Sequence, residues 1–378
     1  MGKRPEKALL KGKHDVIGLI TFHCAYNYGA ALQAYALQTK LNEIAVRMGS
    51  TGGCKILNYY YEEDMRKYDI RWDKGIKVVG FDFLTLPQCY SRKKAYKKFQ
   101  KKYFVETKRT TNWEELREIG KEFDVLICGS DQIWNLNMVG GVNPAYFLKF
   151  ANAGQKKISY APSISCDKIS EKYAADLKET LRDFTAISVR ESGSDQALSS
   201  IIERNVDVVL DPVLLVERSV WDDLISDYQI NLPKKYIFFY SILQSNKDAF
   251  SNYVEKLAEE MDAEIVYFSK YHIFKKRYAK NIFSEDPRAF VAAIKNAEFI
   301  VGDSFHSSAF SIVYHKPFMG YSGRESRLRL DSLFSNLGIE GHFLGENEYH
   351  PINYNQVEKR LRVLRADSLK FLEDALKR

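Results

Sequence analysis

Apolar residues along the chain gather in short, β-branched runs divided by amphipathic stretches. Residues 16–22 (VIGLITF) form a run of strand length, followed by a polar turn and then a helical pattern over residues 30–45. Similar runs occur at 124–128 (DVLIC), 157–161 (KISYA), 186–189 (AISV) and 206–210 (VDVVL), with a helical pattern at 173–184 among them. After a predicted helix at 221–227 and the Leu232-Pro233-Lys234 break, the alternation restarts with a strand at 236–241 (YIFFYS). It continues through a helix at 247–261, a strand at 264–268, a helix at 287–296, a strand at 298–301 and a helix from 307 onward. A long charged helix from about residue 356 closes the chain. Strands alternating with helices predict parallel sheets covered on both faces.

The polar, proline-containing stretch at 215–234 is the natural boundary between two such units. The expected division is residues 1–225, residues 226–350, and a C-terminal helix, 351–378, with the option of packing back on the first unit. A length of 378 residues agrees with two domains of roughly 100 to 200 residues each.

Composition narrows the class: 45% hydrophobic and 28% charged residues are ordinary for a folded globular chain. No apolar run approaches the roughly 20 residues of a membrane span, and the basic first residues lead into no signal-peptide core. The expectation is therefore a cytoplasmic protein. Five scattered cysteines, with no CxxC pair, indicate neither a disulfide framework nor a zinc site, and no metal is expected.

The net charge of +7 is modest, but it is concentrated. Residues 92–109 hold nine lysines and arginines interleaved with Tyr96, Phe99, Tyr103 and Phe104. Spacings of three and four predict a helix with an aromatic inner stripe and a basic outer face. Two readings stand: a solvated face that caps its own domain, or a surface for anionic headgroups or a lipid-linked diphosphate at the inner face of the membrane. No recognised nucleic-acid motif accompanies it, so no nucleic-acid partner is expected.

Open parallel sheets bind ligands beyond the carboxyl ends of their strands, so the loops after strands hold the candidate chemistry. After the first strand comes His23-Cys24-Ala25-Tyr26-Asn27-Tyr28-Gly29, where Gly29 allows close backbone approach and Asn27 is either a ligand contact or a plain helix cap. After Cys128 comes Gly129-Ser130-Asp131-Gln132-Ile133-Trp134-Asn135, dense in hydrogen-bonding groups. There Trp134 either stacks on a pyranose or sits in the core. Arg190, at the end of another strand, is either a forked donor to a carboxylate or phosphate or a structural ion-pair member. In Gly302-Asp303-Ser304-Phe305-His306-Ser307-Ser308, His306 lies at the positive end of a helix, either as a structural histidine or placed to exchange protons with a bound anion. Arg324, Arg327 and Arg329 follow, either as phosphate contacts or as a surface salt-bridge set.

Taken together, residues 21–38 (TFHCAYNYGAALQAYALQ), 128–135 (CGSDQIWN), 188–192 (SVRES), 209–215 (VLDPVLL) and 302–318 (GDSFHSSAFSIVYHKPF) resemble the polysaccharide pyruvyl transferases, in that family's order. The resemblance implies a GT-B-like α/β fold, two Rossmann-like domains with parallel sheets facing a cleft. It also implies phosphoenolpyruvate as donor, no further cofactor, and Arg190 and His306 as donor-site residues. Many members carry an arginine two positions before the histidine; here Ser304 stands there, with Arg324, Arg327 or Arg329 as candidate substitutes.

On this reading Ser304, Phe305, Ser307, Arg324 and Arg327 join Arg190 and His306 around the donor, and Asn27, Tyr28, Gly29, Ser130, Asp131 and Trp134 meet the acceptor. His306, Arg190 and Asp131 carry the chemistry. The product is a pyruvate ketal on a hexose, galactose or mannose, of a polysaccharide unit, with an undecaprenyl-diphosphate-linked acceptor as an option. The competing readings are a sugar-nucleotide glycosyltransferase on the same fold and a non-catalytic carbohydrate-binding protein. The stretch from Ser304 to Phe318 has no acidic residue, which counts against the glycosyltransferase.

Overall fold

The structure, a computed structural model, describes residues 16–60, 76–242, 247–268, 280–282, 285–321, 324–346 and 348–377. In the first half, β1 (Ile17–Ile20) leads to α1 (Tyr28–Arg47), β2 (Cys54–Ile56), α2 (Ile76–Tyr103), α3 (Trp113–Gly120), β3 (Val125–Cys128) and β4 (Lys156–Ser159). These strands form a parallel sheet in the order β2-β1-β3-β4. After α4 (Ala174–Leu181), the short β5 (Ser188–Val189) and β6 (Asp207–Val208) pair in parallel on either side of α5 (Ser194–Ile202). The helices α6 (Pro212–Leu215) and α7 (Arg218–Ile225) then connect to the second half.

There β7 (Tyr236–Tyr240), α8 (Lys247–Met261), β8 (Glu264–Phe268), β9 (Lys280–Ile282), α9 (Pro287–Asn296), β10 (Phe299–Gly302), α10 (Phe305–Val313) and β11 (Phe318–Gly320) follow. Their five strands are parallel, in the order β11-β10-β7-β8-β9. All five residues of β7 and all four of β3 and β10 are buried, which is why these strands read as unbroken apolar runs. The chain ends with α11 (Arg324–Leu337) and α12 (Tyr354–Lys377). Asp286 caps α9 by accepting from the Arg288 N–H, with Pro287 in the first helical turn, a pairing visible in the sequence.

The two halves share one apolar core. Tyr28, at the start of α1, stacks on Phe290 of α9 at 5.2 Å and meets Phe268 of β8 edge-on at 5.5 Å. Helix α12 returns to the first half: the Leu210 N–H donates to Ser368 Oγ (2.9 Å) and Lys156 donates to the Leu376 carbonyl (2.7 Å). The Ser368 bond takes up the Leu210 N–H, and the strand expected at 206–210 is only two residues long. Strands β2, β9 and β11, of three residues each, are too short to leave a periodic signal. Among the described residues no helix is long and apolar enough to cross a membrane.

Candidate active site

Loops from the ends of β1, β3 and β10 converge on a cavity of about 930 Å³ between the halves. Asn27, Asp131, Ser304, Phe305, His306 and Arg329 all line it, and Leu136, Met138, Ile164 and Tyr173 form a more apolar wall. The volume lies within the roughly 300–1,000 Å³ of small-molecule sites. Asp303, which also lines it, is held in place: its carboxylate accepts from Ser241 Oγ (2.8 Å) and the Ile242 N–H (2.7 Å).

His306, 5% exposed, is clamped from two sides. Its Nδ1 lies against Gly29, so close that a β-carbon there would come within 2.1 Å of the nitrogen. Its Nε2 lies 3.7 Å from Asp211 Oδ2, beyond hydrogen-bond distance, and has no other partner. Asp211 is fully buried. Its Oδ2 accepts from Arg190 Nη1 at 2.7 Å and its Oδ1 from the Val213 N–H at 2.9 Å. Burial by itself would raise the pKa of Asp211, but the neighbouring His306 and Arg190 outweigh it and hold the carboxyl well below the usual range.

Arg190 lies one layer beneath the cavity lining, its guanidinium 4.3 Å over the ring of Phe305. Asp131 is 3.7 Å from Nη2 and Glu191 is 3.8 Å from Nε, so both nitrogens are buried without a hydrogen bond. Burial would lower the Arg190 pKa; the three carboxylates Asp211, Asp131 and Glu191 more than compensate and raise it. Arg329, from α11, reaches the same place and is part of the lining. Burial, and then the like charge of Arg190, push its pKa down to about 10, against the pull of Asp131, Glu191 and Asp211. Its Nε is also buried and unpartnered.

Asp131 projects into the cavity from an unusual backbone conformation, φ +66° and ψ −168°, a region that costs a non-glycine residue on the order of 1–3 kcal/mol. Gly129, two residues earlier, has φ +141°, and a β-carbon there would meet the Tyr160 carbonyl oxygen at 1.8 Å. Only glycine fits at the end of β3.

Several sequence expectations are corrected here. Trp134 is 1% exposed and stacks on Phe147 at 4.8 Å while its indole N–H donates to the Tyr146 carbonyl, so its faces are closed to a sugar. Tyr28 is wholly buried in the shared aromatic core. Ser130 spends its hydroxyl on the Ala161 carbonyl (2.8 Å), and Ser307 spends its own on the Ser304 carbonyl (2.6 Å); neither lines the cavity. Gly29 meets His306 rather than the cavity. Arg327 is turned away, pairing with Asp331 (2.8 Å) and Glu346 and lying over Phe343. The Arg324 side chain lies outside the described residues. Asn27 caps α1, accepting from the Ala30 N–H at 3.2 Å, and also lines the cavity. Asp211 had no chemical signal in the sequence beyond an Asp-Pro turn after a strand. Its link to both His306 and Arg190 is purely tertiary. Among the described residues no group of three or more His, Cys, Asp or Glu could hold a metal ion.

Among solved structures, a protein from Listeria monocytogenes assigned as a UDP-N-acetylglucosamine 2-epimerase is similar, with a TM-score of 0.51 at 10% identity, covering 96% of this chain and 91% of that one. Staphylococcus aureus MnaA, solved with UDP, gives a TM-score of 0.50 at 11% identity over the same shares. At such identities the likeness shows the fold alone, the GT-B type. A comparison with curated proteins finds no match. A family profile, by contrast, matches residues 27–324, from Asn27 in the first cavity loop to the start of α11. With the cavity loops and most of its length inside that match, the chain belongs to the polysaccharide pyruvyl transferase family.

Proposed function

We propose that the cavity binds phosphoenolpyruvate and transfers its pyruvyl group to two hydroxyls of a hexose, galactose or mannose, on a polysaccharide unit or its lipid-linked precursor. The observation that carries this reading is a pair of buried nitrogens without a hydrogen bond on two residues that line one cavity, Arg329 Nε and His306 Nε2, with the Arg190 guanidinium one layer beneath them. A buried donor left unsatisfied costs roughly 1–3 kcal/mol, more if charged. A small ligand carrying both a carboxylate and a phosphate offers the acceptors these groups lack. Helix α10 adds its first amides, since Ser304 makes no side-chain cap bond.

In the proposed reaction one proton is delivered to the methylene carbon of the enol phosphate, and a sugar hydroxyl attacks the resulting cationic carbon. The bond to phosphate breaks and a second hydroxyl closes the ketal. Two hydroxyl protons are released in all; one balances the new methyl group and the other leaves with phosphate. His306 is the proton donor to the methylene carbon, and Asp131 takes the acceptor's hydroxyl proton. Arg329 contacts the donor's acidic groups. Arg190 acts from beneath, holding Asp211 and adding positive charge where the anion sits.

Thermal shift separates the readings: phosphoenolpyruvate raises the melting temperature of wild type, and the shift shrinks in H306A and R329M. Stabilisation by a nucleotide sugar, with none by phosphoenolpyruvate, would overturn the proposal.

A further inference from the structure

We infer that the outer face of α2 is a docking surface for an anionic lipid bilayer. The helix spans Ile76–Tyr103, and its sequence contains eight lysines and arginines against one acidic residue, Asp82. Its inner face is fixed. Arg92, Tyr96, Phe99 and Gln100 are buried, with Arg92 donating to the Tyr26 carbonyl (3.0 Å) and Gln100 to the His23 carbonyl (2.9 Å).

On the opposite side, Leu86, Tyr90, Lys94, Lys97, Lys98 and Lys101 are exposed. Steps of three and four residues place them within roughly a third of the helix circumference. None of these four lysines has an ion-pair partner among the described residues. The same stripe carries two large apolar groups, Leu86 at 38% and Tyr90 at 70% exposure, with the exposed Pro87 between them.

Lysine charge alone would suit any polyanion. A leucine and an interfacial tyrosine in line with the lysines fit a lipid surface, where the apolar groups enter the headgroup region and the ammonium groups meet anionic lipids. The surface also has a use for the site. Because α2 braces the loop that carries Asn27, docking would hold one rim of the cavity about one helix diameter, ~10 Å, from the bilayer. The inference goes beyond the pyruvyl-transfer reading, and vesicle binding without donor or acceptor tests it separately.

The experiment is sedimentation of the full-length protein with phosphatidylcholine vesicles, with and without phosphatidylglycerol, and a filter-binding arm with single-stranded RNA. The expected result is retention by the anionic vesicles only, lost at high salt. It should fall at least about 100-fold in K94E/K97E/K98E/K101E and roughly tenfold in L86S/Y90S. Circular dichroism and the thermal shift with phosphoenolpyruvate should be unchanged in both variants, which shows that they fold. Equal retention by neutral vesicles, retention by neither, wild-type retention of the quadruple variant, or binding of RNA in place of vesicles would each overturn it.

Discussion

Gly29 and the imidazole of His306 are in direct contact: a β-carbon added at Gly29 would lie 2.1 Å from Nδ1, 2.4 Å from Cγ and 2.8 Å from Cε1. The two residues come from helices in different halves of the molecule, so the contact joins the first turn of α1 to the start of α10 across the cleft. One face of the ring is fixed by the lack of a side chain on the other half of the molecule. Nε2 is left beside Asp211 and the cavity.

Gly29→Ala tests this contact with an unusual sign. In a helix interior alanine is better than glycine by roughly 1 kcal/mol. Here the added methyl must displace the imidazole, and the net change should be destabilising by about 1–3 kcal/mol, with activity lowered on the order of 100-fold. Urea denaturation reads the first effect and a phosphate-release assay the second. A stabilised, active variant would remove the clamp from the account.

Asp211→Asn breaks a buried pair and should cost about 3–5 kcal/mol at neutral pH, because Arg190 loses the carboxylate it donates to at 2.7 Å. The folded-state pKa of Asp211 is depressed, so its contribution is present above the unfolded carboxyl value of about 4 and is lost as pH falls through the folded value. The gap in stability between wild type and D211N should therefore be widest near neutrality and close in acid. Denaturation curves at a series of pH values check it; a gap that widens in acid would contradict the assignment.

Arg329→Met should weaken phosphoenolpyruvate binding about 10- to 100-fold, the worth of a charge-assisted hydrogen bond, while the fold survives. Removing a buried cation with an unpartnered Nε, which sits against the like charge of Arg190, should leave the melting temperature of the free protein unchanged or higher. Isothermal titration and a melting curve give both numbers. Unchanged affinity would leave the position of Ser304 without a substitute cation.

How far the sequence led differs from element to element. The strand before each cavity loop is a buried apolar run, so β1, β3, β7 and β10 were legible, and with them the places where Asn27, Asp131 and His306 belong. Which side chains turn inward was not. In Gly129-Ser130-Asp131-Gln132-Ile133-Trp134, the backbone of Asp131 at φ +66° sends the carboxylate to the cavity while Trp134 enters the core. No local pattern separates the two outcomes. Likewise Arg327 and Arg329, two residues apart on α11, project to different sides of the helix, one to a surface ion pair and one to the cavity. Asp211 was hidden for the reason that applies to most paired charges, since its partners are 21 and 95 residues away in the chain.

A second titrating group lies apart from the cavity. Burial raises the pKa of Glu106 from its ordinary 4.5 to about 7, and its Oε1 has no hydrogen bond, with His23 Nε2 at 3.7 Å. Between those values the folded protein keeps a proton that the unfolded chain has lost, so stability should fall as pH rises from about 4.5 to about 7. Glu106→Gln should flatten that slope. An identical slope in wild type and E106Q, measured by urea midpoints, would assign it to other groups.

The central claim is pyruvyl transfer from an enol phosphate at the His306 cavity. It is tested most directly by mass spectrometry of galactose- and mannose-containing glycans, free and lipid-linked, incubated with the protein and phosphoenolpyruvate. The account predicts a product heavier by one pyruvic acid less one water, one phosphate released per product, and loss of both signals in H306A. A glycan extended by a hexose from a nucleotide sugar, or a pyruvylated product formed equally well by H306A, would contradict it.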